Sequence, residues 1–306
     1  MNILTHLKSG AFRSFKSWKG VLVIWVLTLF LISLLALPMK SGFKSMIGSS
    51  MITELLTDTV NVDVITDFMQ GLSSLLPALT SGFMLILFLG FLMNAFLTGG
   101  LFTILSGKNS RYSVSHLFAG GAANFWSVLV ITIIIVLIIL VSGSVIGGIP
   151  MMIIRGSGEG TPQPGAMGKA IRISMIILAL VLPVLLLVSD YARAWQVTHE
   201  VKKPFKAIGF GFSATFRTFL KSYPMMLIIM AVQTGFGALV VSKLLGSKPA
   251  TGGSVFLLFV ASQIIFIIRI MFRAWRYGSV TSLMEEKTKI TTVVSDQKVS
   301  ELWPSI

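Results

Sequence analysis

Six long, predominantly apolar runs recur along this chain, at 21–37, 81–101, 126–145, 171–189, 225–241 and 255–272. Each approaches the roughly 20 helical residues needed to cross about 30 Å of hydrocarbon. In that medium each backbone polar group must find its partner within the structure, which selects helices for separate single crossings. The runs therefore predict an all-α integral membrane protein with six transmembrane helices. With 54% hydrophobic and 12% charged residues, the chain has about half the charged share of an ordinary soluble domain. The basic stretch ending at Lys19 has the outline of a signal peptide, but Leu-Ala-Leu-Pro-Met-Lys at 35–40 offers no small-residue cleavage site. A retained signal anchor is expected.

The net charge of +14 would suggest nucleic acid in a soluble protein; here it reports topology. With the amino terminus inside, eighteen Lys and Arg fall in inside segments and seven in outside loops. The positive-inside rule then selects N-in, C-in. All four tyrosines (Tyr112, Tyr191, Tyr223, Tyr277) and Trp18, Trp126, Trp195 and Trp275 fall at the predicted inner ends. One-sided aromatic enrichment marks that rim as the elaborated face.

Each odd-numbered run follows an amphipathic stretch, predicting cytoplasmic-side interfacial helices. Leu4, Leu7, Ala11, Phe15 and Trp18 share their spacing with Val114, Leu117, Gly121, Phe125 and Val128, and with Phe205, Ile208, Phe212, Phe216 and Phe219. That spacing lays one stripe along one helical face. Gly10, Gly120 and Gly211 coincide in this register, as do Lys16 and Arg217. We read a threefold internal repeat over 1–108, 111–201 and 203–285, together one membrane domain (1–285), followed by a polar cytoplasmic tail at 286–306. A first outer loop at 38–80, with short surface helices near 50–76, and a turn-rich second loop at 155–165 are expected.

Ionisable residues inside membrane spans usually face the bundle interior and find partners. Arg269, Arg273 and Arg276 share one face of the sixth span, while Asp190 and Arg193 end the fourth. We expect Asp190 to pair with Arg269 or Arg273. The candidates for lipid or anion binding are Arg193, Arg269, Arg273 and Arg276, with Lys206 and Arg217 of the third amphipathic stretch. Guanidinium suits phosphate because its N–H fork matches two oxygens. Asn94, Gln233 and Gln263 are candidate interhelical hydrogen bonders.

Catalytic signals are poor. The chain has no cysteine, which excludes a disulfide framework and thiolate-ligated metal. It carries no HExxH, GxSxG or Walker motif, and no metal or cofactor is expected. His199-Glu200 is an acid–base pair only in isolation.

Gly99-Gly100-Leu101-Phe102, the 113–125 stretch, Tyr191-Ala-Arg-Ala-Trp195 and the basic 202–221 helix resemble features of uncharacterised prokaryotic six-span proteins. That group includes the membrane domain fused to some glycerophosphodiester phosphodiesterases. The resemblance implies an accessory role in a prokaryotic cytoplasmic (inner) membrane and supplies no catalytic residues. The resulting expectation is a non-enzymatic scaffold or accessory protein. Its cytoplasmic rim would bind anionic lipid headgroups or a membrane protein partner, and no nucleic acid. The alternative is a small-solute or lipid transporter with its site among spans 2, 4 and 6.

Overall fold

The computed structural model describes residues 3–48, 62–106, 113–156, 164–199, 202–245 and 251–302, and these form helices and short connections only. The helices are α1 (Ile3–Lys16), α2 (Trp18–Gly48), α3 (Val62–Leu105), α4 (Val114–Gly156), α5 (Pro164–His199), α6 (Pro204–Arg217), α7 (Phe219–Leu245) and α8 (Gly252–Leu302). Five contain segments long and apolar enough to cross a membrane: Thr80–Leu105, Val114–Pro150, Met167–His199, Phe219–Lys243 and Gly252–Glu286. Among the described residues, α1 and α2 meet that standard only together, as a pair bent by 64°. This is a multi-pass helical membrane protein.

The helices overrun the apolar stretches that announced them. α2 continues to Gly48 and α3 begins at Val62, so much of the expected first loop is helical, and 62–76 opens α3 rather than forming short separate helices. Residues 49–61 lie outside the described part. α4 likewise reaches Gly156 and α5 starts at Pro164, inside the expected second loop. Falling hydropathy ends a membrane-crossing signal, but it does not end a helix unless a breaker or cap follows. α8 runs unbroken to Leu302, through the stretch read as a polar tail.

The chain divides into two compact units, Leu22–Asn94 and Met1–Val21 with Ala95–Ile306. In the smaller unit Gly90 of α3 lies against Leu31 of α2. Thr28 and Ser33 donate to the carbonyls of Ile24 and Leu29, which hides their hydroxyls within their own helix.

In the larger unit the core gathers toward one end of the helices, hereafter the charged end. Leu101, Leu117, Ile131, Leu187, Met226 and Leu283 are fully buried there. Close helix contact is made at glycines. A Cβ on Gly10 of α1 would collide with Ser279 of α8, one on Gly120 of α4 with Thr103 of α3, and one on Gly211 of α6 with Val188 of α5. Lipid tails are as apolar as leucine, so association rests on such close packing and on polar contacts.

α1 and α6 are built alike. Their buried residues are His6, Leu7, Gly10 and Ser14 in one and Ala207, Ile208, Gly211 and Thr215 in the other. Both stop at a hydroxyl residue, Ser17 or Thr218, whose carbonyl accepts from the N–H groups of the third and fourth residues on, Gly20 and Val21 or Lys221 and Ser222. Most of the aromatic stripe points away from the protein: Leu4 is 73% exposed, Phe15 68%, Phe205 75% and Phe216 64%. α4 carries Leu117, Gly120 and Ser127 buried at the corresponding positions, but it continues without a break.

Candidate functional site

At the charged end a carboxylate and three guanidiniums meet among the helices. Asp190 of α5 is fully buried. Arg276 of α8 reaches it through Nε at 2.9 Å and Nη2 at 3.4 Å. Arg193, one turn along α5, places Nη1 3.9 Å from the same carboxylate. Its Nη2 donates to Thr132 Oγ1 of α4 at 3.1 Å. Arg273 donates from Nε to Tyr277 Oη at 2.9 Å and from Nη2 to Thr98 Oγ1 of α3. The guanidinium carbons of Arg273 and Arg276 lie 5.4 Å and 5.0 Å from the centre of the Tyr277 ring, within cation–π range. Tyr277 stacks on Phe102 of α3 at 4.4 Å.

Helix geometry explains the constellation. Arg273, Arg276 and Tyr277 share a face because they are three or four residues apart. Asp190 and Arg193 do the same on α5. Among the described residues the cluster has one carboxylate for three guanidiniums, leaving it electropositive, and the buried Nε of Arg193 has no hydrogen-bond partner there. Buried charge is tolerated when paired and hydrogen-bonded; this cluster meets the condition only in part.

The expected pairing is corrected. Asp190 pairs with Arg276 rather than with Arg269. Arg269 lies two turns, about 10 Å, from Arg276 along α8, so the level at which α5 packs on α8 decides the partner. Arg269 is exposed and makes no hydrogen bond or ion pair among the described residues. Beside the cluster lies a cleft of about 430 Å³ between α5, α7 and α8. Leu186, Gln233, Phe236, Val240, Arg269 and Arg276 are among its lining residues. Arg276 thus belongs to both cluster and cleft.

Lys206 and Arg217 are exposed on α6 and do not enter the cluster. Gln233 lines the cleft, whereas Asn94 and Gln263 do not. The His199 ring stacks on Trp195 and its Nδ1 lies 3.1 Å from the Trp195 carbonyl oxygen; Glu200 falls outside the described residues. No three residues among His, Cys, Asp and Glu gather as a metal site within the described part.

A second polar seam passed unread in the sequence. His6 of α1 approaches Ser282 Oγ through Nδ1 at 3.1 Å and Glu286 through Nε2 at 2.8 Å. Arg13 forms a two-pronged pair with Glu285, at 2.7 Å and 3.1 Å, and donates to the Leu105 carbonyl at 2.9 Å. Trp275 Nε1 donates to the Leu7 carbonyl at 2.8 Å. The adjacent acids Glu285 and Glu286, just beyond Tyr277, were the available signal, but they read as the start of a tail. Thr98 and Thr132 gave no signal, because an isolated hydroxyl in a span commonly bonds its own helix.

Comparison with known protein families, curated proteins and solved structures finds no match.

Proposed function

We propose that this is a non-enzymatic multi-pass protein of a prokaryotic cytoplasmic membrane, N-in and C-in. Its charged end acts as a scaffold or accessory surface for anionic lipid headgroups or a partner membrane protein. In this reading α1, the start of α4 and α6 are interfacial helices of three repeated units, and the bent α1–α2 pair completes six spans. The matching burial of α1 and α6 supports the repeat.

One observation carries the reading: α1 and α6 bury their small residues and turn aromatic and cationic side chains outward together. Phe15, Phe205 and Phe216 share the exposed surface with Lys16, Lys206 and Arg217, and Trp18 and Lys19 at the start of α2 are exposed as well. Water suits only the cations and hydrocarbon only the rings; the headgroup layer suits both.

The test is native mass spectrometry of the protein released from mild detergent in the presence of phosphatidylglycerol or phosphatidylcholine. Preferential retention of the anionic lipid, reduced in Lys206→Ala/Arg217→Ala, is expected. Equal retention of both lipids would overturn the lipid reading. If a co-purified membrane protein were retained instead, the scaffold role would rest on that partner.

The transporter alternative draws on a specific observation too. Thr98, Thr132, Asp190, Arg193 and Arg273 join α3, α4, α5 and α8 at one polar cluster. Anion flux into proteoliposomes, abolished in Arg193→Gln, would favour that reading.

A further inference from the structure

We infer that the cleft between α5, α7 and α8 seats one acidic phospholipid, its phosphate on Arg269 and an acyl chain along the apolar wall. The inference deepens the proposed function and rests on the charged end lying at a headgroup layer.

Arg269 is the principal observation. It stands in a membrane-crossing segment, lines the cleft and has no carboxylate or hydrogen-bond partner among the described residues. A charge at such a position is costly and is usually paired. Among the described residues, the one nearby buried carboxylate, Asp190, is committed to Arg276 and Arg193. With three guanidiniums already around Asp190, the field at the cleft mouth favours an anion. Arg276 adds to that field from the cleft wall.

The lining is graded in the sense a lipid requires. α8 runs toward the charged end, and α7 runs away from it. Arg276 therefore marks the charged side of the cleft and Ile265 its far side; Arg269 stands between them, and Phe236 packs against Phe272 on the charged side of Arg269. Gln233 and Thr234 contribute an amide and a hydroxyl to the lining, suited to phosphate or glycerol oxygens. The volume of about 430 Å³ falls within the roughly 300–1,000 Å³ of small-ligand sites. A free phosphate would leave the apolar wall unused. An uncharged lipid would leave Arg269 unpaired.

The experiment uses the full chain, by native mass spectrometry with phosphatidylglycerol and phosphatidylcholine. Its variants are Arg269→Gln, Arg269→Lys, the cleft-filling Val240→Trp, and Lys206→Ala/Arg217→Ala on α6. Wild type is expected to hold one phosphatidylglycerol preferentially. Arg269→Gln and Val240→Trp should each lower its occupancy about tenfold or more, while Arg269→Lys should retain a larger share. Thermal unfolding in detergent checks that each variant is folded; a misfolded Val240→Trp is replaced by Gly237→Leu, which projects into the same cleft.

If phosphatidylglycerol binds preferentially but neither Arg269→Gln nor the filled cleft affects it, the cleft assignment falls. A drop in the α6 double variant alone would leave the wider reading standing. If phosphatidylglycerol and phosphatidylcholine bind equally, both fall. If inorganic phosphate stabilises wild type as much as phosphatidylglycerol does, and Arg269→Gln abolishes both effects, the site takes a free anion and the lipid assignment is overturned.

Discussion

The two ends of the larger unit solve different problems with the same helices. On α5, Leu187 and Val188 are fully buried, whereas Leu180 and Met175, at most four turns away, are largely exposed. On α4, Leu117 and Ile131 are enclosed while Leu140 and Val141 are open. Gly10, Gly120 and Gly211 touch neighbouring helices, but Gly147, Gly148, Gly235 and Gly237 have nothing within 4 Å of a built Cβ. Side-chain hydropathy does not separate these regions, since leucine and isoleucine fill both. Small residues and polar partners separate them. This is the behaviour expected where solvent and side chain are equally apolar, so that burying a leucine is no driving force.

The sharpest way to break the contrast is to unpair the charged end. Asp190→Ala leaves Arg276 and Arg193 enclosed without their carboxylate, and loss of one partner of a buried pair costs about 3–5 kcal/mol. Thermal unfolding in detergent should show this as the largest loss of the set; a shift no greater than that of a surface variant would mean that the cluster is not energetically closed. Next comes the open end, where Leu137 is exposed. An arginine there should cost about 2.5–3.5 kcal/mol of membrane insertion if that surface meets lipid. Insertion scored by glycosylation mapping would test this, and free tolerance would place the surface in water or against protein.

Glycine substitutions compare the ends directly. Gly10→Leu should destabilise by about 1–3 kcal/mol through overpacking against Ser279. Gly147→Ala should be neutral or stabilise by up to about 1 kcal/mol, because it improves helix propensity in open space. Equal effects in a chemical unfolding series would erase the distinction. The smallest effect expected is that of Tyr191→Phe, which removes a 3.1 Å contact with Thr218 Oγ1 worth about 0.5–1.5 kcal/mol.

Helix class and membrane character were legible because an apolar run of span length leaves the backbone few alternatives. The ingredients of the charged cluster were legible as well: Asp190, Arg193, Arg273 and Arg276 announce themselves by lying where charge is expensive. Their pairing was not legible. Whether Asp190 meets Arg269 or Arg276 depends on a slide of two helical turns between α5 and α8, and periodicity within one helix carries no information about the level of its neighbour. The stripe on α1 and α6 shows the complementary gap. Its spacing places Phe15 and Phe216 on one face, but the choice between facing protein and facing surroundings is made by the solvent. Gly10 and Gly211 turn out to mark the buried side, a sign that the match of the two glycines already carried.

The seam between α1 and α8 has a consequence for how the molecule is made. His6 is translated 276 residues before Ser282, the hydroxyl it meets, and the buried face of α1 finds much of its cover on that same late stretch. During synthesis this face, with its imidazole and its glycine, lacks that cover until α8 has been made. Such long-range closure is slow and exposes unfinished surface. A chain ended before Glu285 would lack the α8 carboxylates that Arg13 and His6 meet, and would leave that side of α1 without its polar partners.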